Sequence, residues 1–302
     1  MDLDGDGHID ILSGSYSRME SKMAGLFQVL YGNADGTFRK AEALKGNDGQ
    51  PLIIPVKGDD DIVEAICTRP FAVDWNGDGL LDLVVGNFAG KFYWFKGEGK
   101  GRFEPTPELI KVGDAPLKLA DGHHGDPFIV DWDGDGDLDI VSGSSSGGVQ
   151  WAENIAGKGK LPEFKRFREL IKPAPRSDEL AILRETDLTG PMQMTRVWVD
   201  DVNGDGKLDI LVGDTVTLIS PADGVSEEEM KTKLKAWKKE FDAAMEALSK
   251  EQMKLRDMKN GPSEDELKAL EKVQTEYRKL YEQRSKFMKE EMTGYVWLFQ
   301  RR

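Results

Sequence analysis

Short apolar segments rich in Val, Ile, Phe and Trp, bounded by Gly, Asp or Pro, recur through the first two-thirds of the chain. Such segments predict β-strands. They come in a fixed order. Pro70-Phe-Ala-Val73, Pro127-Phe-Ile-Val130 and Arg196-Val-Trp-Val199 each lead into a polar loop. Ile11-Leu-Ser-Gly14, Leu83-Val-Val-Gly86, Ile140-Val-Ser-Gly143 and Ile210-Leu-Val-Gly213 follow such a loop and end in glycine. An aromatic segment comes next, as Phe92-Tyr-Trp-Phe95 and Val149-Gln-Trp-Ala152, with a looser version at Leu26-Phe-Gln-Val-Leu-Tyr31. Glu108-Leu-Ile-Lys111 and Glu169-Leu-Ile-Lys172 close their units. Each unit reads as strand, polar loop, strand, turn, aromatic strand, turn, fourth strand.

From Ser226 the period changes. Leu234, Trp237, Phe241, Ala244, Leu248, Leu255 and Met258 sit on one helical face, and Leu270, Val273, Tyr277, Leu280 and Phe287 on another. Ser226 with Glu229 and Ser263 with Glu266 form capping boxes, and Asn260-Gly261-Pro262 is a stop and turn. Two antiparallel, coiled-coil-like helices are predicted over 227–259 and 264–291. After them Gly294-Tyr-Val-Trp-Leu-Phe299 repeats the aromatic third strand. The expected organisation is strand units over 1–224, a helical hairpin over 225–292 inserted in the last unit, and a closing strand over 293–302.

The polar loops are four copies of one acidic sequence. They begin at Asp2, Asp74, Asp131 and Asp201, so their starts are separated by 72, 57 and 70 residues. That period is long enough for a four-stranded propeller blade and too long for an ankyrin or leucine-rich unit. The fold class is therefore an all-β array with an inserted antiparallel helical hairpin. The chain opens inside the first loop. The pattern thus predicts a truncated array, with a further strand, more blades and a signal peptide upstream.

Oxygens at positions 1, 3, 5 and 9 of such a loop, with the carbonyl of position 7, can converge on one hard cation. Calcium takes six to eight oxygens and tolerates irregular geometry, whereas magnesium demands an octahedron. Gly7, Gly79, Gly136 and Gly206 at position 6 permit the sharp bend. An EF-hand needs Glu at position 12 and flanking helices; here position 12 is Val or Ser and strands flank the loop, so it is rejected. Fifteen Asp residues sit in the four loops and would repel one another without a cation.

These loops, Asp-x-Asp/Asn-x-Asp-Gly-x-x-Asp followed by an apolar strand and Gly, resemble the FG-GAP or VCBS repeat of integrin α-subunit propellers and secreted bacterial proteins. The resemblance spans residues 1 to about 220 and the last ten. It implies a β-propeller of FG-GAP/VCBS-type blades, with calcium in the loop between the first and second strands of each blade. The implied side-chain ligands are Asp2, Asp4, Asp6 and Asp10; Asp74, Asn76, Asp78 and Asp82; Asp131, Asp133, Asp135 and Asp139; and Asp201, Asn203, Asp205 and Asp209. The carbonyls of His8, Leu80, Asp137 and Lys207 complete them. The Phe-Gly and Gly-Ala-Pro signatures of the integrin form are absent.

Charge narrows the partners. The formal net charge is −14, which argues against a general nucleic-acid surface, and no apolar run is long enough to span a membrane. Residues 225–292 carry 16 acids and 16 bases, so the rest of the chain holds the whole excess. Single Cys67 excludes an intrachain disulfide. His123 and His124, with Asp121 or Asp126, form a candidate transition-metal set, against the plainer reading of a polar loop. The hairpin reads either as a brace or as a protein-interaction arm. Together these features predict about four structural Ca²⁺ sites in a non-catalytic scaffold for a protein or glycan ligand, extracellular or periplasmic. A lectin-like propeller and, less favoured, a polysaccharide-degrading enzyme are the alternatives.

Overall fold

The computed structural model describes residues 1–16, 24–56, 59–175, 180–256 and 261–302. The expected first-helix end at 259, with Met258 and Asn260, lies outside the described residues. The chain divides into two compact units: Met1–Pro175 with Thr189–Val216 and Gly294–Arg302, and Arg176–Leu188 with Thr217–Thr293.

The first unit is built of antiparallel sheets in chain order. One has three strands, Ile11–Ser13, Gln28–Leu30 and Glu42–Ala43. The next joins Arg69–Val73, Asp82–Gly86, Phe92–Phe95 and Glu108–Leu109, and the third joins Asp126–Val130, Asp139–Gly143, Val149–Ala152 and Arg168–Ile171. In the fourth, Asp209–Pro221 pairs with Gln193–Asp200 on one side and Val296–Phe299 on the other. The pairs Val73–Asp82, Val130–Asp139 and Asp200–Asp209 close the ladders at the acidic loops, so three of those loops are hairpin connections. The chain leaves the fourth sheet after Asp209–Pro221 and returns to it as Met288–Thr293 and then Val296–Phe299.

Apolar clusters fill the spaces between consecutive sheets. Phe27, Val29 and Leu44 of the first meet Leu83, Val85 and Phe95 of the second. Val84 and Phe92 meet Ile129 and Ile140 of the third, and Val141 and Val149 meet Ile210 and Val212 of the fourth. Leu3, Trp75 and Trp132, all at position 2 of their loops, are buried in these clusters. Trp151 is also buried, while Trp94 and Trp297 are half-buried.

The glycine that ends each second strand has a definite cause. A Cβ on Gly14 would lie 1.8 Å from the Thr68 carbonyl oxygen, on Gly86 2.2 Å from that of Gly125, and on Gly143 2.1 Å from that of Thr195. The backbone entering the next sheet crosses directly over it, and only glycine leaves room. Gly213, in the last sheet, has nothing closer than the Arg196 Cβ at 4.0 Å. Gly143→Ala should therefore cost about 3 kcal/mol or more by forcing backbone apart. Gly213→Ala should change stability by less than about 1 kcal/mol. Equal denaturant midpoints for the two variants would sink this account.

The strands that begin each unit also line up across sheets. Arg69, Asp126 and Arg196 stand at equivalent register, opposite Gly86, Gly143 and Gly213. Asp126 Oδ1 meets Arg69 Nε at 3.6 Å and Arg196 Nη1 at 2.9 Å. Two residues along, Phe71, Phe128 and Trp198 form an aromatic row with ring centroids 4.9 and 5.2 Å apart.

The second unit contains α1 (Glu227–Arg256) and α2 (Glu264–Gln283). Ser263 and Glu266 form the expected capping box. Phe241 meets Tyr277 while Trp237 donates its indole N–H to the Leu280 carbonyl at 2.7 Å, which makes the helices antiparallel. Met230, Trp237, Phe287, Met288 and Ile219 are buried together, whereas Met245, Met253 and Leu267 are exposed. One expectation fails. Helix was predicted to 291, but α2 ends at Gln283 and Met288–Thr293 is a strand hydrogen-bonded to Asp209–Pro221. The Thr215-Val-Thr-Leu-Ile219 run extends that neighbour beyond Gly213, and its backbone needs a partner. Pairing overrides the helical preference of Lys289-Glu-Glu-Met292.

Candidate functional site

Each acidic loop is wrapped by its own carboxylates. At position 1, Asp2 Oδ1 accepts from the Gly5 and Asp6 amides and Oδ2 from Gly7. Asp201 repeats this with Gly204, Asp205 and Gly206, and Asp131 with Gly134 and Gly136. Asp74 Oδ2 accepts from Gly79. The position-3 side chains Asp4, Asn76, Asp133 and Asn203 accept from the position-5 amides. Asp6, Asp78, Asp135 and Asp205 at position 5 in turn accept from the amides of His8, Leu80, Asp137 and Lys207. Short acid and amide side chains favour these local turns, which is why the sequence bends here without an apolar core of its own.

Asp2, Asp4 and Asp10 place one oxygen each within 4.8 Å of one another, as do Asp131, Asp133 and Asp135. The second and fourth loops have Asn76 and Asn203 where the others have a third acid. Of the residues singled out by spacing, three therefore converge in the first loop and three in the third. Three loop-carboxylate oxygens, Asp74 Oδ1, Asp137 Oδ1 and Asp209 Oδ2, are buried without a hydrogen-bond partner. Buried acceptors of this kind are costly unless something else satisfies them.

Position 9 has a second role that the pattern did not reveal. Asp10, Asp82, Asp139 and Asp209 are all buried. Asp82 accepts from the Trp75 amide at 3.0 Å and the Gly97 amide at 2.6 Å. Asp139 does the same with Trp132 and Asn154, and Asp10 with Leu3 and Gly32. Asp209 takes the Arg301 amide at 3.0 Å. In the first three copies one carboxylate therefore ties the start of its loop to the chain leaving the second strand after that loop. Burial pushes Asp82 up from the usual carboxylate range, against the pull of its two amides. Burial pushes Asp139 up to about 6. Four Asp at one loop position were the available signal, but their long-range amide partners carry no motif.

The candidate histidine set is not assembled. The Nδ1 atoms of His123 and His124 lie 2.5 Å apart, and both rings pack on Phe88. Among the described residues neither Asp121 nor Asp126 joins them in a set of three ligand atoms, and Asp126 is held by two arginines. Burial, then His123 and Arg69, pushes His124 down to about 4, while burial pushes Asp126 up to about 6. These shifts oppose each other. As pH rises from about 4 to 6 the native state keeps the Asp126 proton that the unfolded chain has lost, so stability falls. Over the same range the unfolded chain keeps a His124 proton that the native state has lost, so stability rises. Asp126→Asn should remove a falling contribution of about 2–3 kcal/mol and leave a steeper rise with pH than in the parent. His124→Asn should tilt the profile the other way. Denaturant midpoints at pH 4, 5 and 6 test both, and parallel profiles for all three proteins would refute the opposition.

Compared with known families, residues 74–142 match the FG-GAP-like repeat. The match runs from the second acidic loop through the third loop into the strand that follows it. The chain thus carries a repeat of the FG-GAP/VCBS type. No curated protein matches it. No helix among the described residues is long and apolar enough to cross a membrane.

Proposed function

We propose that this chain is a calcium-stabilised β-propeller scaffold of an exported protein, presenting a surface to a protein or glycan ligand. The observation that carries the reading is the fourfold acidic loop with unpartnered buried carboxylate oxygens on two of its proposed ligands, Asp74 and Asp209. A hard divalent cation supplies the partner such oxygens lack, and the donor set is all oxygen, which suits calcium. Asp2, Asp74, Asp131 and Asp201 would hold it with the position-3, position-5 and position-9 side chains and the position-7 carbonyls. The ion's part is structural: it joins the two ends of a loop that connects paired strands. Matching apolar faces on consecutive sheets favour the propeller arrangement. Export fits because weak extracellular modules need millimolar calcium to fill.

The test is a calorimetric calcium titration of chelator-stripped protein. About four sites are expected, and Asp131→Ala should remove one. A titration with no heat and no bound calcium would overturn the reading.

A further inference from the structure

Every stack between consecutive sheets joins the same two kinds of face. The forward face of one sheet brings loop position 2, the middle of the strand after the loop and the aromatic strand. The rearward face of the next sheet brings positions 8 and 10. Trp75, Val84 and Phe92 thus cluster with Leu138 and Ile140, and Trp132, Val141 and Val149 with Leu208 and Ile210. Leu3, Leu12 and Val29 cluster with Leu81 and Leu83 in the same way.

Two faces of these kinds are left open. On the fourth sheet Trp198, Leu298 and Val296 are exposed, Val296 to 74 %. By register they correspond to Phe128, Trp151 and Val149 of the third sheet, where Trp151 and Val149 are buried. Val202 is exposed at position 2, whereas Leu3, Trp75 and Trp132 are buried there. On the first sheet Ile11 is exposed at position 10, whereas Leu83, Ile140 and Ile210 are buried. Ile9, at position 8 of the same loop, is 65 % exposed. Contiguous exposed apolar side chains of this kind mark an interaction surface.

The open pair is one forward face and one rearward face, the combination already packed three times within the chain. A second copy therefore offers each open face the kind of partner that its own repeats use. We infer that two copies of this chain pair head to tail, the fourth sheet of each stacked on the first sheet of the other. Ile9 and Ile11 of one copy then lie against Val202 and Leu298 of the other, as Leu208 and Ile210 lie among Trp132 and Trp151. Such a contact is heterologous, so it either closes a ring or grows a filament. Two copies of four stacked sheets bring eight, within the four to eight blades of closed propellers, and the pair closes. Closure rests on the propeller arrangement proposed above. The contact itself rests on the exposed faces, and none of its side chains is a proposed calcium ligand.

Sedimentation equilibrium of the full chain, in saturating calcium and again after chelation, measures the assembly. In calcium the mass should be twice that of one chain at micromolar concentration. Val296→Lys on the fourth sheet and Ile11→Lys on the first should each give monomer, with self-association weakened about tenfold or more, because each buries an ammonium in every contact. Mixed in equal amounts, the two variants should pair again, since one of the contacts between them keeps both parent faces. Leu298→Lys and Ile9→Lys replace either variant if it loses its melting transition. A monomeric parent, a species larger than a dimer, a mixture that stays monomeric, or pairing that survives Ile11→Lys overturns the inference. A monomer that takes up calcium sinks this inference alone, and a pair that takes up none sinks the calcium reading alone.

Discussion

Stripping calcium should lower the melting temperature of the sheet-containing unit by on the order of 10–20 °C. The size follows from mass action. A ligand bound only by the folded state, present at ten times its dissociation constant, contributes about 1.4 kcal/mol per site, so four sites give about 6 kcal/mol. For a unit of this size, 1 kcal/mol moves the melting temperature by about 2–4 °C. Differential scanning calorimetry with chelator, and then with a calcium series, measures this directly. The midpoint should climb with calcium concentration, since linkage makes it concentration-dependent. Magnesium at equal concentration should raise it far less, because the loop does not force an octahedron. A midpoint that ignores calcium from micromolar to millimolar levels sinks the structural role.

Asp82→Ala should destabilise the chelated protein by about 3–5 kcal/mol, more than any other single change in its loop. The carboxylate is fully buried and takes two backbone amides, from Trp75 and Gly97. Alanine strands both donors in the interior, and each hydrogen bond to a charged group is worth roughly 1.5–3 kcal/mol. Asp82→Asn retains one acceptor oxygen and should lose about half as much. Asp78→Ala, at an exposed position that takes the Leu80 amide and the Asn76 side-chain amide, should cost about 1 kcal/mol or less without calcium. Denaturant unfolding in chelator isolates these costs from any loss of metal. If Asp82→Ala and Asp78→Ala cost the same, position 9 has no structural duty apart from an ion.

Much of this was visible along the chain, and the rest was hidden for identifiable reasons. The acidic loops, the strands beside them and the helical pair were legible because each rests on local chemistry: Asx turns, alternating β-formers, capping boxes and three-to-four spacing. The glycines after the second strands were visible as a repeat, but their cause was not. The backbone that crosses Gly143 belongs to Thr195, 52 residues later in the numbering. Asp10, Asp82 and Asp139 read as ion ligands because a motif reports residue type and spacing; the amides of Gly32, Gly97 and Asn154 leave no trace in composition. The strand Met288–Thr293 was misread as helix since its Lys and Glu residues favour helix locally and only a distant partner draws them into a sheet. The open faces of the first and fourth sheets carry the same residue types as the packed ones, so no single repeat reveals which of them lacks a neighbour.

The crossing glycines bear on how the molecule folds and how it came to be. A Cβ on Gly14, Gly86 or Gly143 would meet first the backbone of the chain that enters the next sheet. Such an array behaves as a one-dimensional chain of near-identical links, in which nearest neighbours set the energy and order spreads stepwise from a formed pair. A duplicated unit could join the series through the same glycine without repacking its neighbours. A lesion at one crossing would divide the series into two separately melting halves.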